Sequence, residues 1–273
     1  MVIKSISIKS ILCFPVLLVL SWQNVFAESI DSYIARLETK LDVKIVYKKK
    51  VKDTWGKSTY QIPTNKTHLL SYLRLIEQEY SKYPVGYLKK ARAGVLVLTK
   101  NYAFDKNVQA AMPDPFGNRL YLAHKQSNKL YAETYLIHVL HHELHHNTEY
   151  VIWKNQYYKW PKWYALNKPE FKYGSGGIAA YSDRSTNYYK LNNPIPGFIN
   201  LYSALGQEED RSEIFALMMS DIERPILTKI CKKDPVVRAK VKVMAKLIDD
   251  FTNQTGKNSY WRSKNQACIR GAK

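Results

Sequence analysis

The hydrophobic residues of this chain follow two periodicities, one helical and one extended. In many stretches, apolar side chains recur three and four residues apart, which is typical of amphipathic helices. The helices predicted in this way cover residues 29–42, 67–80, 131–150, 207–221, 225–232 and 235–253. Thr67 is a suitable N-terminal cap for the helix over 67–80.

Short apolar runs predict strands at 44–47, 94–98 and 119–122, and the Pro- and Gly-rich residues 113–117 break the chain between the last two. Strands early in the chain and helices late favour an α+β fold, in which a small mixed sheet packs beside a helical lobe. We expect a mixed lobe over 28–125 and a mainly helical lobe over 126–273, within one domain.

The N-terminus has the pattern of a secretory signal peptide. Lys4 and Lys9 precede an apolar run over 11–20, and Ala27 ends a small-residue cleavage site. The run is short for a membrane span, although an uncleaved anchor is the alternative. The sequence therefore predicts a signal peptide over 1–27 and a secreted or periplasmic protein.

The cysteines agree with export. Cys13 lies within the predicted signal peptide, which leaves Cys231 and Cys268 as a pair in an oxidising compartment. A bond between them would close a loop of 37 residues and stabilise the fold by about 4 kcal/mol in the chain-entropy model. Two free thiols are the alternative.

The chain is strongly basic, with a formal net charge of +19 over 273 residues. Such a charge favours anionic surroundings: lipid surfaces, acidic wall polymers, nucleic acid or acidic peptide segments. Net charge alone does not choose among them, and solubility with nonspecific attraction is the simpler interpretation.

Residues His142 to His146 match the H-E-x-x-H pattern inside the predicted helix over 131–150. Residues four apart lie about 40° apart around a helix, so His142 and His146 can converge on one ion. Glu143 is rotated by about 100° from His142 and can meet metal-bound water without displacing it. The pattern predicts a zinc site with Glu143 as general base.

A third protein ligand is expected, because catalytic zinc keeps its fourth position open. No third histidine follows in the metzincin pattern, and the best candidates lie in the acidic stretch 208–213. Glu209 and Glu213 share one face of a predicted helix, so one can bind metal while the other supports a ligating histidine. Glu208 and Asp210 are alternative ligands, and an ordinary acidic helix start is the simplest interpretation of this stretch alone.

These motifs together resemble the gluzincin peptidases, and most closely the anthrax lethal factor-type catalytic domain, over roughly residues 119–221. The resemblance implies a zincin-like domain with His142, His146 and Glu209 as zinc ligands and Glu143 as base. It also implies that Tyr202, seven residues before Glu209, donates to the oxyanion, and that Glu213 supports a histidine ligand.

Between these motifs, residues 152–203 alternate aromatic side chains with lysines and include a Gly-rich stretch at 174–177. Such a segment can grip an extended acidic substrate, bind single-stranded nucleic acid by stacking, or simply pack its aromatic rings onto the domain.

We therefore expect an exported zinc metallopeptidase that acts on protein or peptide substrates as a monomer, with possible attraction to acidic substrates and anionic surfaces. The alternative is a catalytically silent zinc module that binds anionic surface or wall polymers. A specific nucleic-acid partner is not expected, because no carboxylate cluster suited to Mg²⁺ occurs outside the proposed zinc site.

Overall fold

The structure is a computed structural model that describes residues 28–155, 157–181, 187–254 and 259–270. The expected signal peptide over 1–27 lies outside the described residues. The α-helices are α1 (Ile30–Leu41), α2 (Lys66–Tyr80), α3 (Tyr87–Lys90), α4 (Glu133–Trp153), α5 (Pro161–Tyr164), α6 (Gln207–Met219), α7 (Arg224–Lys233), α8 (Pro235–Thr252), α9 (Tyr260–Lys264) and α10 (Gln266–Arg270). Two 3₁₀ helices cover Gly177–Tyr181 and Tyr202–Ala204.

The strands are β1 (Lys44–Val46), β2 (Ser58–Gln61), β3 (Val95–Phe104), β4 (Asn107–Val108), β5 (Ala111–Asp114), β6 (Arg119–Ala123), β7 (Lys125–Gln126) and β8 (Lys129–Leu130). The main sheet has the order β1-β3-β6-β5, and β7 and β8 form a separate small hairpin. Strands β1 and β6 run parallel to β3, whereas β5 is antiparallel to β6. The far end of β3 pairs antiparallel with β2 and β4, so the sheet is mixed, as predicted.

The sequence pattern does not predict β5, because the Pro- and Gly-rich residues 113–117 indicate a chain break there. Pro113 lies within this strand and stands opposite Leu120 of β6. Within the sheet path β5 has β6 as its only neighbour, and an edge strand tolerates a proline because its other side needs no donor.

Local capping explains several helix starts. The side chain of Asn65, rather than that of Thr67, caps α2 by accepting a hydrogen bond from the His68 N–H. Asp234 caps α8 by accepting from two backbone N–H groups in its first turn. The other predicted long helices occur within a few residues of their expected ends.

The main hydrophobic core joins the two parts of the chain. Leu73, Leu96 and Leu122 come from the early helices and the sheet, and Leu140 and Phe215 come from α4 and α6. Helix α4 packs against both α6 and the sheet, so its position relative to α6 is set by this shared core. The fold is therefore a small mixed sheet beside a helical lobe, and the predicted α+β class is confirmed.

The C-terminal helices are tied together covalently. Cys231 of α7 and Cys268 of α10 form the predicted disulfide, with Cα atoms 5.4 Å apart. Trp261 of α9 is buried and donates from its indole N–H to Asp249 of α8. A disulfide is compatible with a protein that lies outside the cytoplasm.

Among the described residues, no helix has both the length and the hydropathy that crossing a bilayer requires.

Candidate metal centre

Helix α4 presents His142 and His146 to α6, which carries Glu209 in its first turn. The helix remains regular through Trp153, so residues four apart in this stretch lie on one face, one turn from each other. Both histidines are buried, with 5% and 8% of their surface exposed. Glu209 is 9% exposed, so the three side chains meet in a pocket largely shielded from water.

The three side chains place their ligand atoms close together. His142 Nε2 lies 3.1 Å from His146 Nε2 and 3.1 Å from Glu209 Oε2. His146 Nε2 lies 3.6 Å from the same carboxylate oxygen. Ligand atoms bound about 2.1 Å from one tetrahedral ion stand about 3.4 Å apart. The donor set and its spacing therefore fit a zinc ion.

The electrostatics of this group also favour a cation. Burial opposes the charged form of Glu209, but hydrogen bonds from His142 and His146 outweigh it and hold the pKa of Glu209 below its usual range. Burial likewise lowers the pKa of His142, but the carboxylates of Glu209 and Glu213 outweigh it and raise that pKa well above its usual value. Positive charge is thus strongly stabilised between these side chains.

A second set of three possible ligands consists of His138, His142 and Glu213. Its close contacts are those of ordinary hydrogen bonds, since His138 Nε2 lies 2.9 Å from Glu213 Oε1. The other ring nitrogen of His138 lies 2.9 Å from Glu223 Oε2. Because both nitrogens of His138 face carboxylates, this set is better explained as a hydrogen-bonded chain than as a metal centre.

Glu143 follows His142 on α4 and is half-buried. Burial raises the pKa of Glu143 above its usual value, while the nearby His142 and His146 act in the opposite direction. A carboxyl group in such surroundings is suited to accept and return a proton.

Tyr202 lies beside this group, in the 3₁₀ helix just before α6. Its ring centroid is 6.0 Å from that of His142, and its ring packs at a tilt of 36° against that of the half-exposed Tyr189, with centroids 4.8 Å apart. Gly177 covers the same place: a β-carbon there would meet both Glu209 Oε1 and the Tyr202 hydroxyl at less than 3.0 Å. A side chain at position 177 would therefore fill the space over the candidate centre.

Of the two alternative acidic ligands, Asp210 faces other partners. Asp210 Oδ2 accepts hydrogen bonds from Lys240 Nζ, Trp163 Nε1 and the Tyr173 hydroxyl, each at 2.7 Å. Neither Asp210 nor Glu208 belongs to either set of possible metal ligands within the described chain. Asp210 instead joins the segment around Trp163 to α6 and α8.

The neighbouring histidines of α4 have structural partners. His141 Nε2 lies 2.8 Å from Glu79 Oε2, and its Nδ1 lies 2.7 Å from the Tyr83 hydroxyl. His145 Nδ1 lies 3.2 Å from the Ser212 hydroxyl. Both rings are fully buried, so they tie α4 to the core.

Two further residues, which the sequence pattern does not single out, contact His146 and Glu213. The Ser212 hydroxyl lies 3.4 Å from His146 Nδ1, and the Asn200 side-chain amide donates to Glu213 Oε2 at 2.6 Å. Ser212 has the spacing from Glu209 that would have suggested it, but a serine in a helix has no distinctive signature. Asn200 lies in an irregular segment with no periodic signal.

Much of the aromatic, Lys-rich segment packs inward. Trp163 is fully buried, and the ring of Trp160 stacks on it. Phe171 packs on Phe198 with ring centroids 4.3 Å apart. Tyr157 is more exposed, at 64%. Of the three interpretations of this segment, packing onto the domain accounts for most of its described aromatic residues.

Comparison with solved structures finds a chain of similar fold. No protein-family model and no curated protein matches the chain. The crystal structure of a candidate zinc-binding metallopeptidase from Bacteroides caccae matches with a TM-score of 0.51 and 15% sequence identity. The match covers 88% of this chain and 93% of that chain. At this identity the similarity shows the fold, which is metallopeptidase-like.

Proposed function

We propose that this protein is an exported zinc metallopeptidase of the gluzincin type, with His142, His146 and Glu209 as ligands. The observation that carries the proposal is the convergence of three ligand atoms at 3.1–3.6 Å, next to a glutamate that follows the first histidine. The Bacteroides caccae protein, which shares the fold, is named for zinc binding and peptidase activity.

A zinc ion held by His142, His146 and Glu209 would polarise the substrate carbonyl and make water a nucleophile near neutral pH. Glu143 receives the proton of the attacking water and passes it to the leaving amine. Its partly buried position, which raises its pKa, suits both transfers. Glu213 supports His142 at the ring nitrogen that faces away from Glu209: its Oε1 atom lies 2.9 Å from Nδ1.

Tyr202 donates its hydroxyl proton in a hydrogen bond to the oxygen that becomes negative as the carbonyl is attacked. Its hydroxyl lies beside Glu209, under Gly177, and its ring is close to His142. A donor fixed in this way stabilises the transition state more than the ground state. This role is the one that the lethal factor-type resemblance implies for Tyr202.

The substrate is a protein or peptide, and the net charge of +19 favours acidic segments. Export is supported by the N-terminal sequence pattern and by the disulfide between Cys231 and Cys268.

Metal analysis and peptide hydrolysis of the Glu143→Gln variant test the proposal together. The wild type is expected to bind about one zinc per chain and to hydrolyse peptides, whereas Glu143→Gln keeps the zinc and loses nearly all turnover. His142→Ala and His146→Ala should lose stoichiometric zinc, with His141→Ala as the matched control that retains it. Zinc binding without hydrolysis in the wild type would instead support a silent binding module.

A further inference from the structure

Asn200 connects two parts of the candidate centre that come from different elements. It lies just before the 3₁₀ helix that carries Tyr202, and it is fully buried. Its amide nitrogen donates to Glu213 Oε2 at 2.6 Å, and its amide oxygen accepts from the Ser203 N–H at 2.8 Å. One side chain therefore contacts both α6 and the turn beside Tyr202.

The first contact completes the surroundings of Glu213. Its Oε1 atom lies 2.9 Å from His142 Nδ1 and 2.9 Å from His138 Nε2. With Asn200 on Oε2, both oxygens of this 1%-exposed carboxylate have polar partners. The Glu213 carboxylate cannot rotate without breaking a buried hydrogen bond, so its Oε1 atom is held 2.9 Å from His142 Nδ1.

The second contact sets the turn. The Asn200 side chain caps the Ser203 N–H, three residues further on, and the Ser203 hydroxyl donates back to the Asn200 carbonyl at 2.8 Å. This reciprocal pair resembles a helix cap and fixes the backbone on both sides of Tyr202. The orientation of the Tyr202 ring therefore depends on the position of Asn200.

An asparagine suits both tasks at once. Glu213 needs a donor and Ser203 needs an acceptor, and a short amide supplies one of each. A serine can accept from the N–H three residues on, but it is too short to reach Glu213. An aspartate would place a second carboxylate against that of Glu213.

From these contacts we propose that Asn200 is a positioning residue that couples the metal-binding half of the centre to Tyr202. The inference rests on the proposed metallopeptidase function. Asn200 does not contact the substrate. It acts on the ion through Glu213 and His142, and on the substrate through Tyr202.

The test measures zinc affinity by chelator competition, and kcat and KM at saturating zinc, for Asn200→Ala and Asn200→Ser. Both variants should bind zinc about 10-fold more weakly, a loss typical of groups that orient a ligand. Asn200→Ala should also lower kcat about 10-fold with KM nearly unchanged. Asn200→Ser keeps the cap on Ser203 and should lose less kcat, which a general structural defect would not produce.

Two double-variant cycles separate coupling from simple destabilisation. In a Glu213→Ala background, Asn200→Ala should cause almost no further loss of zinc affinity; in a Tyr202→Phe background, it should cause almost no further loss of kcat. Asn265→Ala is the control, since Asn265 is equally buried but donates to two backbone carbonyls away from the centre. It should lower the melting temperature and leave zinc affinity and kcat near wild type.

Additive losses in both cycles, or equal zinc and kcat losses in Asn265→Ala, would overturn the coupling. If Asn200→Ala does not fold, the Asn200→Ser cycle with Glu213→Ala decides in the same way. A wild type that neither binds zinc nor hydrolyses peptides removes the proposed function and the coupling together. A wild type that does both, with additive Asn200 losses, removes the coupling alone.

Discussion

Glu213 Oε1 lies 2.9 Å from His142 Nδ1, while the other ring nitrogen of His142 lies 3.1 Å from Glu209 Oε2. The two glutamates are one turn apart on α6 and contact opposite edges of one imidazole. This arrangement suits one carboxylate for an ion and the other for orienting the ligand.

The two glutamates should therefore differ when removed. Glu209→Ala is expected to abolish tight zinc binding, because it deletes one of three protein ligands. Glu213→Ala is expected to weaken zinc binding by about 10–100-fold, because it removes the support of His142 but none of the proposed ligands. Chelator competition measures both dissociation constants. Wild-type affinity in Glu209→Ala would place the third ligand elsewhere.

Tyr202→Phe should lower kcat by about 10²–10³ with KM little changed, because the lost hydroxyl acts on charge that develops only in the transition state. Zinc content should stay at the wild-type level, since the hydroxyl is not a proposed ligand. Steady-state hydrolysis of a peptide with metal analysis of the same sample checks both. Full activity in Tyr202→Phe would rule out the oxyanion role.

Gly177→Ala should damage the centre although it replaces none of the proposed ligands. The added β-carbon would overlap Glu209 Oε1 and the Tyr202 hydroxyl, so either the loop or these groups must move. We expect zinc affinity and kcat to fall together. Gly174→Ala is the matched control, because its β-carbon would meet only Leu205, at ordinary contact distances of 3.4–3.5 Å. Equal activity in the two variants would contradict the close cover by Gly177.

Asp210 and Lys240 form a fully buried ion pair with 2.7 Å between Oδ2 and Nζ. Asp210→Asn should cost about 3–5 kcal/mol of unfolding free energy, because it leaves the Lys240 charge buried without its partner. Adding Lys240→Met should restore part of that loss. Denaturant unfolding of the single and double variants measures the interaction free energy between Asp210 and Lys240. The folded variants should still bind about one zinc, whereas lost stoichiometry would revive Asp210 as a ligand.

His124 predicts a pH-dependent component of stability away from the metal centre. Burial lowers its pKa to about 4, and the hydrogen-bond contact with the Thr99 carbonyl offsets only part of this. The folded-state pKa is below the unfolded value of 6.5. The contribution of neutral His124 to the free energy of unfolding is therefore complete above pH 6.5 and is lost as pH falls toward 4.

The His124→Gln variant should therefore lose less unfolding free energy than wild type between pH 6.5 and 4, by at most about 3 kcal/mol. Gln is neutral throughout this range and can still face the Thr99 carbonyl. Denaturant unfolding at several pH values measures the difference. Parallel pH curves for the two proteins would show that His124 titrates normally in the folded state.

Local sequence was enough for the six long helices, for strands β1, β3 and β6, and for one half of the candidate centre. Helical periodicity placed His142 and His146 on one face, because 3.6 residues per turn relates positions four apart regardless of the rest of the fold. The cysteine pair was predicted by counting, since loss of the expected signal peptide, which contains Cys13, would leave Cys231 one possible intramolecular partner. Strand β5 was missed because a proline has different consequences at a sheet edge and in a sheet interior.

The tertiary structure decided how the acidic residues of α6 meet the histidines of α4. The rotation of α6 against α4 turns Glu209 toward the histidines and Asp210 toward Lys240, although the two residues are adjacent in sequence. That rotation depends on which side chains fill the shared core, and no local pattern encodes it. Gly177 and Asn200 reach the centre from irregular segments, where contacts are set by long-range packing rather than by periodicity.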